Sequence, residues 1–424
     1  MLDIQLIRET PELVKKNLKK RSQLHKVAWV DQIKKEDEEW RELKGHVDQL
    51  RARRNNLSQD INEAKKAGKD IKKIIADARK IPEEIAKKEK RVDELRHSID
   101  ALMMQLPNML DDSVPEGKTA DDNVVLKKWG TVKAPKFPLK THTELCEALD
   151  IADFERSAKI AGRGFYFLKN ELVLLEQALI RFVLDHLQKK GFALTSVPLM
   201  MRREAYAGVS DLAAFQDALY KIDGEDLHLI ATSEHPLTAQ FMNEIIDEEK
   251  LPIVRAAVSA CFRKEAGAHG VDEKGLFRVH QFNKVEQVVI CKPEDSKKWH
   301  EQMLKNAEDV FKALKLPYRV VVLCSGDIGA VASKTYDIEV WMPRTQQYRE
   351  AVSCSTIKDF QARRLMIRYR TKEGTRLVHT LNSTAVATTR AMVAILENYQ
   401  QKDGSVKIPK VLWKYMNGIK VIRK

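Results

Sequence analysis

Cysteine is scarce in this chain: five among 424 residues, at positions 146, 261, 291, 324 and 354, an odd set without CxxC spacing. That argues against a disulfide framework or a cysteine-built zinc site, and reads as reduced thiols in a cytoplasmic protein. His269 and His280 stand at ligand spacing with no cysteine or acid, so no zinc is expected. Long apolar runs are missing too. The most apolar stretch, LVLLEQALIRFVLDHL (172–187), is interrupted by Glu176 and Arg181. It is therefore expected to be a buried helix, and no membrane partner is expected. The opening residues, MLDIQLIRE, carry acids early and lack the apolar centre of a secretory signal peptide.

Charge is plentiful. Lys and Arg number 74 against 61 Asp and Glu, a net +13, and a hydrophobic content of 43% is enough for a sizeable core. A chain of 424 residues exceeds one ordinary domain. The positive excess is unevenly spread. Residues 51–80 hold ten Lys or Arg against four Asp or Glu, while the rest of residues 1–110 balances at sixteen of each.

That basic stretch lies inside a helical pattern. Apolar residues recur at heptad spacing through Ile33, Trp40, Leu43, Val47, Leu50, Leu57, Ile61 and Ala64, interrupted by Arg54. A second series runs Ile71, Ile74, Ala78, Ile81, Ile85, Val92, Leu95, Ile99 and Leu102, with Lys88 in one slot. Between them Gly68 suits a helix end and Asp70 a helix start. Two long helices joined by a short turn must pack antiparallel, giving an arm over about 30–104 with its tip near 65–71. Pro82 lacks the N–H the helix ladder needs, which predicts a kink or a restart there. A solvated coiled-coil surface usually mixes its charges. The segregated excess fits an RNA backbone contact better, with Arg51, Arg53, Arg54, Lys65, Lys66, Lys69, Lys72 and Lys73 as phosphate partners. After Met109 the text DDSVPEGKTADDNV reads as a linker. The chain thus divides into 1–111 and 112–424.

The second part is organised around Cys261–Glu286, CFRKEAGAHGVDEKGLFRVHQFNKVE. Two runs that suit strands flank a glycine-broken turn. Arg263 and Glu265 are two apart and should share a face, as should Arg278 with His280, and Phe282 with Lys284 and Glu286. Arginine forks with an aromatic ring suit phosphates and a base. Taken alone, such a hairpin is more often a solvated surface feature. Elsewhere, LIATSEHPLTAQF (229–241) reads as a strand, a turn and a helix starting near Pro236. Residues 297–315 read as an amphipathic helix, with antiparallel strands in YRVVVLCSGDIG and YDIEVWMP after it.

The whole string FRKEAG…GLFRVHQFNKVEQ resembles the second signature motif of class II aminoacyl-tRNA synthetases, in the form carried by seryl-tRNA synthetases. Other stretches extend the likeness to Met1. GFALTSVPLMMRREAY is similar to the first motif (about 180–204), as a helix end and a strand holding Pro198. The third motif (about 379–400) is matched by HTLNSTAVATTRAMVAILENYQ, with a helix from about Ala385 and Arg390 in its second turn. The LNST variant is associated with archaeal-type enzymes. Thr356 stands where the family usually has Asn.

The resemblance implies an α+β fold, a class II antiparallel sheet with flanking helices, preceded by the coiled-coil arm. It implies a serine–tRNA ligase that makes seryl-adenylate from L-serine and ATP and passes the seryl group to tRNA(Ser), and to tRNA(Sec) where present. The implied assembly is a homodimer. Serine is assigned to Thr232, Glu234, Arg263, Glu286, Asn382 and Thr384. ATP is assigned to Arg263, Glu265, Arg278, Phe282, Glu350, Ser353 and Arg390, with Mg2+ on Glu350 and Ser353. Arg263 and Arg390 are the implied catalytic pair. No editing domain is expected, since a pocket that hydrogen-bonds a hydroxyl rejects alanine by itself. A paralogue that loads a carrier protein and a non-catalytic RNA-binding scaffold are the alternatives. The first usually lacks the arm, and the second predicts losses among these residues.

Overall fold

The computed structural model describes residues 1–67, 72–132, 135–212, 216–265 and 275–424, in two compact units, Met1–Pro107 and Asn108–Lys424.

In the first unit two short helices, α1 (Ile4–Glu9) and α2 (Pro11–Lys20), precede the long pair α3 (Val27–Lys66) and α4 (Lys72–Gln105). Forty residues at 1.5 Å per residue make α3 about 60 Å long. The heptad positions do what their spacing requires: Val47 packs with Ile81 and Ile85, and with Leu50 and Leu57 at the margin. Arg91 Nε on Glu39 (2.8 Å) and Arg51 on Glu89 (2.6 Å) tie the antiparallel pair across its rims. At the base, buried Asp37 accepts from Arg8 (2.8 Å) and Arg41 (3.0 Å). The restart expected at Pro82 does not occur, because α4 runs through it without a break. Pro82 faces solvent while its neighbours Ile81 and Ile85 are buried against α3. Packing thus holds the helix across the lost hydrogen bond.

The second unit is built on one eight-stranded sheet. In chain order its strands are β1 (Val124–Trp129), β2 (Ala193–Thr195), β3 (Ile253–Phe262), β4 (Gln281–Cys291), β5 (Tyr318–Val322), β6 (Lys334–Met342), β7 (Gln347–Lys358) and β8 (His379–Ala387). Their spatial order is β1-β5-β6-β7-β8-β4-β3-β2. Every neighbouring pair is antiparallel except β2 with β3. The helices that frame the site are α5 (Asn170–Lys189), α6 (Glu234–Ala239), α7 (Ser296–Ala313), α8 (Phe360–Leu365) and α9 (Thr388–Tyr399).

Alternation along β4 shows how the sheet divides its labour. Val285 and Val289 join Leu175 and Leu179 of α5 and Met303 and Phe311 of α7 in the main core, and Gln287 donates to the Met303 carbonyl (3.2 Å). Phe282, Lys284 and Glu286 therefore point to the opposite face. One face is packed with apolar side chains, which leaves the other free to hold charge.

Three local expectations need correction. Pro198 lies in the link between β2 and Met200–Arg202 and not within a strand, consistent with its missing N–H. The third-motif helix starts at Thr388, three residues after Ala385, because β8 continues to Ala387. Arg390 consequently sits in the first turn of α9. Finally, β3 ends at Phe262 and β4 begins at Gln281, so Arg263, Glu265, Arg278 and His280 are not strand residues. Among the described residues no helix is long and apolar enough to cross a membrane.

Candidate active site

On the polar face of the sheet lies a cavity of ≈ 310 Å³, and all twelve residues assigned to serine, ATP or magnesium line it. Its floor comes from three strands. β4 supplies Phe282 and Glu286, β8 supplies Asn382 and Thr384, and β7 supplies Glu350 and Ser353. Arg263 and Glu265 follow β3, Arg278 precedes β4, Thr232 and Glu234 stand at the start of α6, and Arg390 reaches in from α9.

Glu350 and Ser353 are three residues apart, which on a regular strand puts them on opposite faces. The register of β6 with β7 shifts between Ile338 and Glu339, where Val352 and Glu350 are the successive partners. This bulge absorbs Ala351 and brings both oxygen donors to one face. Opposite Ser353 in the ladder is Asp337, buried, hydrogen-bonded to the Ser353 side chain, with Oδ1 unpartnered. Burial, then the nearby Glu350, hold the Asp337 carboxyl well above the usual carboxylate range. Glutamate, serine and aspartate oxygens with one acceptor unpartnered fit a hard cation such as magnesium.

Cations in the cavity are already aimed. Arg390 Nη1 is 2.8 Å from Glu350 Oε1 and donates to the Glu350 carbonyl (3.1 Å). Burial works to raise the Glu350 carboxyl, but Arg390 outweighs it and the net shift is downward. Two guanidinium groups stand over the Phe277 ring, Arg349 at 4.8 Å and Arg390 at 5.5 Å from its centre. Arg278 Nη1 meets Glu265 Oε2 at 3.2 Å. Glu265 itself has a positive φ of 42°, in the left-handed region. The expected pairing of Arg278 with His280 fails. His280 leaves the cavity, stacks on Phe165 at 5.2 Å and meets the Tyr220 hydroxyl at 2.5 Å. Arg263 stands over the Phe282 ring at 5.3 Å and donates to the Ala231 carbonyl (3.3 Å).

The deepest part is a chamber of carboxylates. Glu286 is 1% exposed, and its Oε2 takes Lys284 Nζ at 2.6 Å and the Thr384 hydroxyl at 3.3 Å. Glu234 accepts from Gln361 Nε2 (3.0 Å) on α8. Burial first, then the charge of Glu286, push the Glu234 carboxyl up to about 7. Behind it, burial and then Lys284 push His235 down to about 3, which keeps that imidazole neutral.

Asp337 was not foreseen, and neither were two groups that line the cavity. Lys284 lines the cavity and sits on the strand face shared by Phe282 and Glu286, so the period-two pattern was the available signal. Phe277 carries no comparable signal, since its role depends on arginines distant in sequence. The start of α9 is fixed by Thr388, whose hydroxyl lies 2.7 Å from Glu176 on α5 and 2.9 Å from the Asn283 carbonyl. The acid that breaks the apolar run is therefore a tether for the helix that carries Arg390.

Of the basic arm residues, Arg53, Arg54, Lys65 and Lys66 are exposed, and Arg51 is engaged by Glu89. Lys69 lies outside the described residues, as do the tip residues Gly68 and Asp70 and, in the 266–274 segment, His269. Lys72 and Lys73 open α4, and their side chains are likewise outside the description.

Comparison with known proteins covers both units. Residues 1–110 match the seryl-tRNA synthetase N-terminal domain, and residues 219–399 match the tRNA synthetase class II core domain (G, H, P, S and T). The chain is 55% identical, over 100% of both lengths, to a serine–tRNA ligase of Methanocella arvoryzae. Its fold is similar to that of the seryl-tRNA synthetase from Pyrococcus horikoshii complexed with ATP, at TM-score 0.96 and 48% identity over 100% of this chain and 99% of that one. The cytoplasmic serine–tRNA ligase of Naegleria fowleri in complex with AMP aligns at TM-score 0.89 and 34% identity, with the same coverage.

Proposed function

The chain belongs to the seryl-tRNA synthetases of class II and is a serine–tRNA ligase; from that premise we propose how its side chains divide the reaction. The observation that supports the division is the single cavity into which residues from positions 232 to 390 converge.

ATP lies over the sheet with its adenine on Phe282 and its amino edge toward Glu265. Arg278 and Arg390, released from Glu265 and Glu350, take the γ-phosphate. Arg263 bridges the serine carboxylate and the α-phosphate, so the attacking oxygen is held in line with the leaving pyrophosphate. The carboxylate oxygen bonds to the α-phosphorus as the bond to the β-phosphate oxygen breaks, giving seryl-adenylate and pyrophosphate. A terminal ribose hydroxyl of tRNA(Ser), or of tRNA(Sec) where present, then attacks the seryl carbonyl carbon and AMP leaves. Chemistry of this kind depends on positioning and charge neutralisation rather than on a protein nucleophile. Glu350 and Ser353, backed by Asp337, would hold magnesium, which when bound neutralises charge on the phosphate oxygens.

Serine is read at both ends. Thr232 and Glu234 take the ammonium; Glu286 and Thr384, with Asn382 beside them, take the hydroxyl. Glu234 supplies the test. An ammonium binds its carboxylate form, and with its carboxyl up at about 7 that form is in the minority below neutrality. The KM for serine should therefore fall as pH rises from 6 to 8, by roughly tenfold in all and mostly below pH 7, while the KM for ATP does not follow. A serine KM that is flat over this range removes Glu234 from the ammonium site.

The basic stretch of the arm serves as the backbone contact to tRNA. A homodimer is supported by the exposed apolar side chains Val173, Leu194, Leu199 and Met200, which cluster on α5, the edge strand β2 and the segment after it. Sedimentation at the mass of one chain would contradict it. A cytoplasmic location is in keeping with the five free, buried thiols.

A further inference from the structure

Lys284 has no part in the assignments above, yet it is among the most constrained charged groups in the molecule. It stands between Phe282 and Glu286 on one face of β4, its side chain is 8% exposed, and Nζ is 2.6 Å from Glu286 Oε2. The Thr384 hydroxyl approaches the same oxygen. Both protein donors thus converge on Oε2, and Oε1 receives no hydrogen bond from the described residues.

We propose that Lys284 is a specificity-determining residue: by pinning one oxygen of Glu286 and leaving the other as a bare acceptor, it makes the pocket demand a hydroxyl donor. This rests on the reading of Glu286 as the group that receives the serine hydroxyl. The physical reason is the direction of each oxygen. Two carboxylates, Glu234 and Glu286, line the same cavity, and a cation on one of them offsets the repulsion between like charges. Lys284 is the cation in direct contact with Glu286. With Oε2 occupied, Oε1 is left to meet the ligand, and an amino acid without a hydroxyl leaves that acceptor unsatisfied. Without Lys284 the carboxylate is free to turn, and alanine would be penalised less. Lys284 acts through Glu286, so it is a positioning residue.

Other groups face the pair. Glu234 and His235 approach from α6, Arg263 and Cys261 from the end of β3, and Glu350 and Cys354 from β7. None of these has a hydrogen bond or ion pair to Glu286, so none takes the place of Lys284.

The experiment measures pyrophosphate exchange with serine and with alanine in the full-length protein and its variants. Lys284→Met should lower kcat/KM for serine and shrink the serine-to-alanine ratio by at least about tenfold. The KM for ATP should move by less than about twofold, because the nucleotide half of the cavity is untouched. Lys284→Arg should restore most of the ratio. Lys284→Gln, which keeps a donor without the charge, covers the case in which the methionine variant does not fold, and its ratio should also fall. Loss of serine and alanine activity in equal proportion, with no rescue of the ratio by Lys284→Arg, overturns the proposal. Glu286→Gln separates the two readings. If it destroys the ratio while Lys284→Met and Lys284→Gln preserve it, only the role of Lys284 fails. If Glu286→Gln leaves the ratio intact, the assignment of Glu286 fails with it.

Discussion

Arg390→Ala is expected to lower serine-dependent ATP–pyrophosphate exchange by about 10²–10³-fold, the usual range for removing one preorganised donor aimed at developing charge. The geometry argues for the upper part of that range. Arg390 is three-quarters buried, fixed over Phe277 and hydrogen-bonded to both the carbonyl and the carboxylate of Glu350. Its removal deletes a phosphate ligand and also strips Glu350 of the cation that offsets burial. Exchange within a few-fold of the parent at all pH values removes Arg390 from the triphosphate site.

Shortening the arm should give the opposite pattern. Removal of residues 45–87 with a short glycine turn at the junction takes away every basic residue assigned to RNA. It leaves Asp37 with Arg8 and Arg41, and Glu39 with Arg91, at the base of the helix pair. Charging of tRNA should fall by at least about 10²-fold at physiological salt, since loss of several phosphate contacts weakens binding steeply. Pyrophosphate exchange, which needs only serine and ATP, should stay within about twofold. For the intact protein the KM for tRNA should climb with salt; for the shortened one that slope should be nearly flat. Joint loss of charging and exchange contradicts the division of labour between arm and cavity.

Much of this was legible because strand and helix periods are local. Phe282 and Glu286, two strand steps of two residues apart, had to share a face, and the heptad spacing of Val47, Ile81 and Ile85 had to be buried between two helices. The misses have a common origin in features that depend on distant partners. Ala351 is squeezed out of register only because β6 opposes β7, so the meeting of Glu350 with Ser353 came from motif likeness and not from spacing. Residues 385–387 read equally as the start of a helix, but β4 holds Val386 and Ala387 as strand partners. Pro82 would break an isolated helix, whereas Ile81 and Ile85 keep α4 intact against α3. Lys284 was visible as a residue and was left without a role. A charged side chain on a strand looks like surface until the sheet's other face is seen to be full.

The most direct test is a crystal structure with a non-hydrolysable seryl-adenylate analogue. Its hydroxyl should lie within hydrogen-bond reach of Glu286 Oε1 and Thr384, its ammonium at Glu234, its adenine on Phe282, and Arg263 at the linkage between the two halves. An analogue bound outside this cavity, or bound within it with its seryl end away from Glu286, would contradict the account.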